Sequence, residues 1–436
     1  MILGRLTTRT VLRGARNPGD IAIEDGRIAA IGVVEARPGD RIVDCPGDLV
    51  TAGFANCHHH LYQWMTRGRA TACDLFTWLR TLYPVWGELT VEDVAASALV
   101  GLGELALSGA TLVSDHHYVV PRGDDSVFDA IAAAAKTVGV RLELCRGSMD
   151  LGESRGGLPP DTIVEEIDAI LASTKAVAQR LNDGDRVRVA VAPCSPFSVS
   201  IELMRSSAEL ARSLGLRLHT HLAETRDEER DCLARFGRRP LELMDDLGWV
   251  GEDVWFAHGI HLSSDEIVRL GSASSGVAHC PSSNARLASG ICPVRELVDA
   301  GVSVGLGVDG PASNEAGVML PELRQAVYFA RQRSGVPDAL VPAEALELAT
   351  SSGAACLGRP HLGRLEVGAP ADVAVWPMAD VADFPEPVDA LVFGPDRRVR
   401  HLFVAGEPVV ESGRLVRVDL EVAHRELSKR SQRLWM

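Results

Sequence analysis

The sequence predicts an α/β protein: a (β/α)8 TIM-like barrel carrying a small β-sandwich domain built from both chain ends. Three observations predict it. Short β-branched runs alternate with Ala/Leu-rich helical stretches through residues 53–360, histidines and acids cluster at the ends of those runs, and Gly-punctuated β segments flank the alternation on both sides. Strand followed by helix, repeated, builds a parallel sheet. Polar residues at strand ends favour the closed form, because barrel active sites lie at the C-terminal mouth of the strands.

Residues 1–52 read as the first part of the sandwich. In IAIEDGRIAAIG the pair Asp25-Gly26 separates two apolar runs, a strong hairpin signal. Barrel strands follow in ATLVSDHH, VRLELCRG, VRVAVAPCSP, LRLHTHLAE, VWFAHGI, SGVAHCPSS and VSVGLGVDG. Helices lie between them, in VEDVAASALVGLGELALSG, SVFDAIAAAAKTVG, DTIVEEIDAILASTKAVAQRL and IELMRSSAELARSLG. No GxGxxG follows an early strand, which argues against a dinucleotide-binding fold. Residues 361–420, with LGRLEVGAPADVAVW and DRRVRHLFVAGEPVVESGRLV, return to β character as the second part of the sandwich, and 421–436 form a charged helical tail.

Composition excludes several functions. Lys plus Arg number 44 against 59 Asp plus Glu, a net charge of −15, whereas a nucleic-acid polymer requires a basic face. Nine cysteines without a CxxC pair suit a reducing compartment better than a disulfide scaffold or a zinc ribbon. The sequence shows neither a secretory leader pattern nor eighteen consecutive apolar residues. The expectation is a cytoplasmic protein without a membrane partner.

Of thirteen histidines, nine fall at or just after a predicted barrel strand: His58, His59, His60, His116, His117, His219, His221, His258 and His279. In GFANCHHHLYQ, His58 and His60 share one face of an extended segment while His59 points to the other, a spacing that suits two ligands of one divalent cation. LRLHTHLAET repeats the pattern. His221, nearer the strand end, is the better third ligand, and Glu224 lies one loop-turn further, within reach of a water beside such an ion. Asp309 ends VGLGVDG, flanked by glycines that let the backbone crowd a ligand. It completes a His3Asp donor set suited to zinc or iron(II) at an open catalytic site. Ser195 and Ser198 lack a GxSxG surround and read as loop hydroxyls.

GFANCHHH, HTHLAET, AHGI, HCPSSNARLASG and GLGVDGPASN together resemble the amidohydrolase superfamily over nearly the whole chain. Within it, HHHLYQWMTR, LFTWLRTLYPVW, SDHHY and RGSMDLGESRGGLPPD are similar to the 8-oxoguanine deaminases and the neighbouring purine, pterin and s-triazine aminohydrolases. The resemblance implies that His58, His60, His221 and Asp309 hold the metal. It also implies that Asp309 accepts a proton from the attacking water, Glu224 shuttles protons, and His258 polarises the water or stabilises charge. Two-metal members bridge their ions with a carboxylated Lys or a Glu on a middle strand. The only lysines here, Lys136, Lys175 and Lys429, lie off the predicted strands, so one divalent ion is expected, zinc before iron. Trp64 departs from the family pattern, where a smaller residue follows the Tyr-Gln pair, and is expected to reshape the pocket.

Candidate substrate contacts are Gln63, Trp78, Trp86, Tyr118, Arg146 and Asn284. Gln63 and Arg146 offer groups that pair with ring carbonyls and nitrogens. The resemblance thus implies hydrolytic deamination of a nitrogen heterocycle, 8-oxoguanine first, by a chain that associates with copies of itself. A pterin or s-triazine aminohydrolase or chlorohydrolase is the alternative. A non-catalytic scaffold on a decayed barrel is a reading of another class, opposed by the complete donor set.

Overall fold

A computed structural model describes residues 9–120 and 123–435. The N-terminal strands are β1 (Thr10–Arg13), β2 (Asp20–Glu24), β3 (Arg27–Gly32), β4 (Arg41–Asp44) and β5 (Leu49–Ala52). Asp25 and Gly26 join β2 to β3 with φ of 51° and 75°, the double left-handed turn that matches strand twist.

Eight parallel strands follow: β6 (Phe54–Asn56), β7 (Ala110–His117), β8 (Arg141–Ser148), β9 (Val187–Pro193), β10 (Arg217–Leu222), β11 (Val254–His258), β12 (Gly276–His279) and β13 (Ser303–Leu306). They pair in sequential order from β6 to β13. The ring closes through Cys57 N–H donating to the Leu306 carbonyl (2.8 Å) and Asp309 N–H to the His58 carbonyl (3.0 Å). Closure therefore brings the first and last metal-binding segments side by side. A 3-10 helix (Leu61–Thr66) and two α-helices separate β6 from β7: α1 (Leu75–Trp86) and α2 (Val91–Leu107), the latter opened by a Thr90–Asp93 capping box that satisfies two free N–H groups. The helix read in DTIVEEIDAIL starts later than its sequence suggests: Asp161–Ile163 form a single 3-10 turn and the α-helix spans Ile167–Leu181.

At the C-terminal end, β14 (Val373–Trp376), β15 (His401–Val404), β16 (Glu407–Glu411) and β17 (Arg414–Leu415) join β5 in a second sheet, while β1 to β4 make the first. Leu12, Ile21, Ile23, Val43, Val50, Val373, Val375 and Phe403 pack between the two, so the chain ends form a sandwich with β5 as the exchanged strand. A buried ion pair, Arg141 Nε to Asp372 Oδ2 at 2.7 Å, ties the start of β8 to this sandwich. The helix Leu420–Arg433 returns to the barrel, where Arg430 and Arg433 reach Asp93 on α2 and Ser431 donates to the Met65 carbonyl. Among the described residues, no helix is long and apolar enough to cross a membrane.

Candidate metal centre and active site

The histidines gather where β6, β7, β10 and β11 end. His58, His60, His116 and His221 bring one ring nitrogen each within 4.8 Å of one another, and His58, His258 and Asp309 form an overlapping group. Hydrogen bonding fixes the rings. His60 Nδ1 donates to the His116 carbonyl (2.6 Å) and His221 Nδ1 to the Cys194 carbonyl (2.6 Å). His219 Nδ1 donates to the Trp255 carbonyl (2.9 Å), which leaves its Nε2 free to accept from His58 Nδ1 (2.8 Å). The remaining Nε2 atoms of His58, His60 and His221 therefore all carry lone pairs.

Those lone pairs converge. His60 and His221 Nε2 lie 3.1 Å apart, and Asp309 Oδ1 stands 3.3 Å from His60 Nε2 and 3.5 Å from His58 Nε2. Two acceptor nitrogens so close repel each other unless a cation lies between them, and buried His58 Nε2 has no hydrogen-bond partner among the described residues. Three imidazoles and one carboxylate are the donor set of an open zinc-type site, so these residues fit a divalent metal. Burial lowers the pKa of His58, His60 and His221, keeping the donors neutral. Burial opposes the Asp309 charge, but the facing His58, His60 and His258 rings outweigh it and hold its pKa well below the usual carboxylate range.

Opposite this set, Glu224 Oε2 lies 3.7 Å from His258 Nε2, and Ser289 Oγ lies 3.4 Å from Glu224 Oε1. Burial raises the Glu224 pKa. Burial opposes charge on His258 too, yet the facing Glu224 and Asp309 raise its pKa. An acid held closer to neutrality and a histidine inclined to charge are the means of moving protons at working pH. Ala223, His258 and Asp309 all have φ between 51° and 74°, a left-handed conformation costing a non-glycine residue about 1–2 kcal/mol. The strain re-aims the chain at or just beyond the ends of β10, β11 and β13.

These groups open onto a small pocket. Its walls are aromatic and aliphatic, chiefly Trp78, Tyr83, Tyr118, Phe197, Leu75 and Leu287. Gln63, Ser313, Glu224, His258 and Asp309 supply the polar points.

The sequence pattern of the amidohydrolase family matches residues 49–409. The chain belongs to the amidohydrolase family. It is 46% identical to the 8-oxoguanine deaminase of Pseudomonas aeruginosa, with 92% of each chain covered. It is 36% identical to an isoxanthopterin deaminase from an unknown prokaryotic organism, over 93% of this chain and 90% of that one. Among solved structures, it resembles the zinc-complexed atrazine chlorohydrolase of Arthrobacter aurescens TC1, with a TM-score of 0.91, 30% identity, and 97% and 100% of the two chains covered.

In this amidohydrolase, Gln63, Trp78 and Tyr118 line the pocket, and buried Gln63 Oε1 has no hydrogen-bond partner among the described residues. The other three expected substrate contacts do not line the pocket. Arg146 points outward from β8 to the helix layer, where it grips Glu165 with two nitrogens (2.8 and 3.0 Å) over the Phe128 ring. Trp86 lies behind Trp78 and donates to Thr66 Oγ1 (3.0 Å). Asn284 meets His258, accepting from its Nδ1 at 2.9 Å. Trp64 also stays out of the pocket; its ring fits between Gly101 and Gly317 and contacts His424 of the terminal helix. The glycines around Asp309 make room for protein rather than ligand: Gly307 for His58, and Gly310 for the Gln63 carboxamide, 1.8 Å from where a Cβ would stand.

Sequence reasoning did not single out Tyr83, Phe197, Leu287 or Ser313 for the pocket, nor His116 and His219 for the metal centre. His116 Nε2 donates to the Ala192 carbonyl (2.8 Å), its Nδ1 has no hydrogen-bond partner among the described residues, and its ring stacks on His221.

Proposed function

We propose that the chain is a metal-dependent hydrolytic deaminase of a nitrogen heterocycle, with 8-oxoguanine as the first substrate to test. The reading rests on one observation above all. Three unprotonated imidazole nitrogens and Asp309 face the Glu224–His258 pair across a slot walled by flat rings. His58, His60, His221 and Asp309 would hold one divalent ion, zinc before iron, and no lysine lies on a barrel strand to bridge a second. When bound, that ion lowers the pKa of a water from 15.7 to about 7.

The chain's own groups do the rest. Trp78, Tyr83, Tyr118 and Phe197 bind a planar ring through its faces and edges, and the free Oε1 of Gln63 accepts an N–H from its rim. Asp309 accepts the proton of the attacking water. Glu224 gives a proton to the ring nitrogen beside the attacked carbon, and His258 stabilises the charge that develops there. A proton then passes to the amino group, which leaves as ammonia while the carbon keeps the oxygen. Nine free cysteines support a reducing, cytoplasmic setting.

The similarity to atrazine chlorohydrolase supports a second reading, displacement of chloride or alkylamine from an s-triazine by the same groups. A panel of purines, pterins and s-triazines, assayed for ammonia, alkylamine and chloride, separates the two. Ammonia from 8-oxoguanine with a kcat reduced about 10²- to 10⁴-fold in Glu224→Gln is the expected result. Alkylamine or chloride without ammonia favours the second reading, and turnover undiminished in Glu224→Gln would overturn the role of Glu224.

A further inference from the structure

Glu224 is weakly held by its own side chain. Among the described residues its carboxylate has only the two long contacts to Ser289 and His258, 3.4 and 3.7 Å, so the main chain must aim it. That main chain leaves β10 through Ala223 at φ 51°. The Ala223 carbonyl accepts from Ile260 and His261 N–H, both at 2.9 Å. The successive N–H groups of Ala223 and Glu224 donate to the two oxygens of one carboxylate, Glu228 Oε1 and Oε2, each at 2.8 Å.

Glu228 is an odd residue to find there. It is buried, makes no salt bridge among the described residues, and its burial pushes its pKa up to about 7. An unpaired buried carboxylate costs several kcal/mol. What offsets that cost is local: two amide donors, and a place in the first turn of the helix Arg226–Phe236, whose positive end favours an anion. The helix is already capped by Thr225 Oγ1, which accepts from Glu228 N–H, so the side chain is not needed as a cap.

We infer that Glu228 is a positioning residue, whose carboxylate clamps the strained Ala223–Glu224 turn and thereby keeps the Glu224 side chain facing the pocket. The inference rests on the reading of Glu224 as the proton carrier. An amide in its place would offer one acceptor and turn an NH2 group against the other N–H.

The test compares metal-loaded wild type, Glu228→Gln, Glu224→Gln and the double variant, with amide hydrogen exchange at Ala223 and Glu224 as a readout that needs no turnover. In Glu228→Gln the two amides exchange at least tenfold faster, kcat falls about 10- to 100-fold, and KM and bound metal stay near wild type. The double variant is no slower than Glu224→Gln alone, because a clamp with nothing to aim has no further effect. Unchanged amide exchange, a folded Glu228→Gln with full kcat, additive losses in the double variant, or failure of Glu228→Gln to fold would each overturn the clamp. Wild type inactive on every heterocycle, with the exchange result standing, would instead remove the deaminase reading.

Discussion

His219 illustrates how much a single ring controls without touching the metal position. It stacks on Trp255 with centroids 4.4 Å apart and accepts from His58 Nδ1. That bond keeps the lone pair of His58 on Nε2, aimed at the donor set. Replacing a partner that orients a metal ligand typically weakens binding 10- to 100-fold. His219→Phe keeps a ring against Trp255 and removes the acceptor, so metal affinity measured by competition with a chelator should fall by that factor. Affinity equal to wild type would show that His58 needs no such orientation.

The period-two geometry of strands made this site readable from sequence, because His58 with His60 and His219 with His221 had to share faces. The same rule, counted further, exposes the misreading of Arg146. It pairs with His117 across β7 and β8, whereas His116 pairs with Cys145. Cys145 lies in the barrel interior, so Arg146 had to face the helices. Tyr83 and Phe197 were invisible for a different reason, since no local period says which loop or helix residue folds over a barrel mouth.

At the level of elements, α1 and the segment after β13 decide the shape of the pocket. Trp78 and Trp86 are eight residues apart on α1, about 80° around the helix. One therefore reaches the pocket, while the other fills the space behind it. The segment after β13 fits against Gln63 only because residue 310 is glycine, where a Cβ would displace the Gln63 carboxamide. Gly310→Ala is expected to raise KM about fivefold, the loss of one hydrogen bond of roughly 1 kcal/mol, with kcat and bound metal little changed. An unaltered KM would remove Gln63 from the list of substrate contacts. The hairpin at Asp25-Gly26 was legible because its turn chemistry is local. The exchange of β5 into the C-terminal sheet was not, because it depends on pairing with β14 more than three hundred residues away.

For the whole molecule, buried histidines set the response to acid. Burial lowers the pKa of His59, His117, His219 and His279 to about 3, against 6.5 for an exposed imidazole. Between those values the unfolded chain binds protons that the folded chain refuses, so the stability contributed by these groups is full above pH 6.5 and is lost as pH falls toward 3. Asp115, Glu228 and Glu322 act in the opposite sense. Burial raises each to about 7, so their penalty is relieved on acidification. His58, His60, His116 and His221 are lowered as well, and the histidines outweigh the acids. Urea melts of metal-free protein should show stability declining from about pH 6.5 to about pH 4.5; stability that is flat or rising over that window would contradict the burial of these rings as neutral groups.

The convergence of His58, His60, His221 and Asp309 on one cation is most directly tested by titrating metal-free protein with zinc while following ammonia release. Activity should start near zero, rise in proportion to added zinc and break sharply at one equivalent per chain. A break at two equivalents, or full activity before any zinc is added, would contradict it.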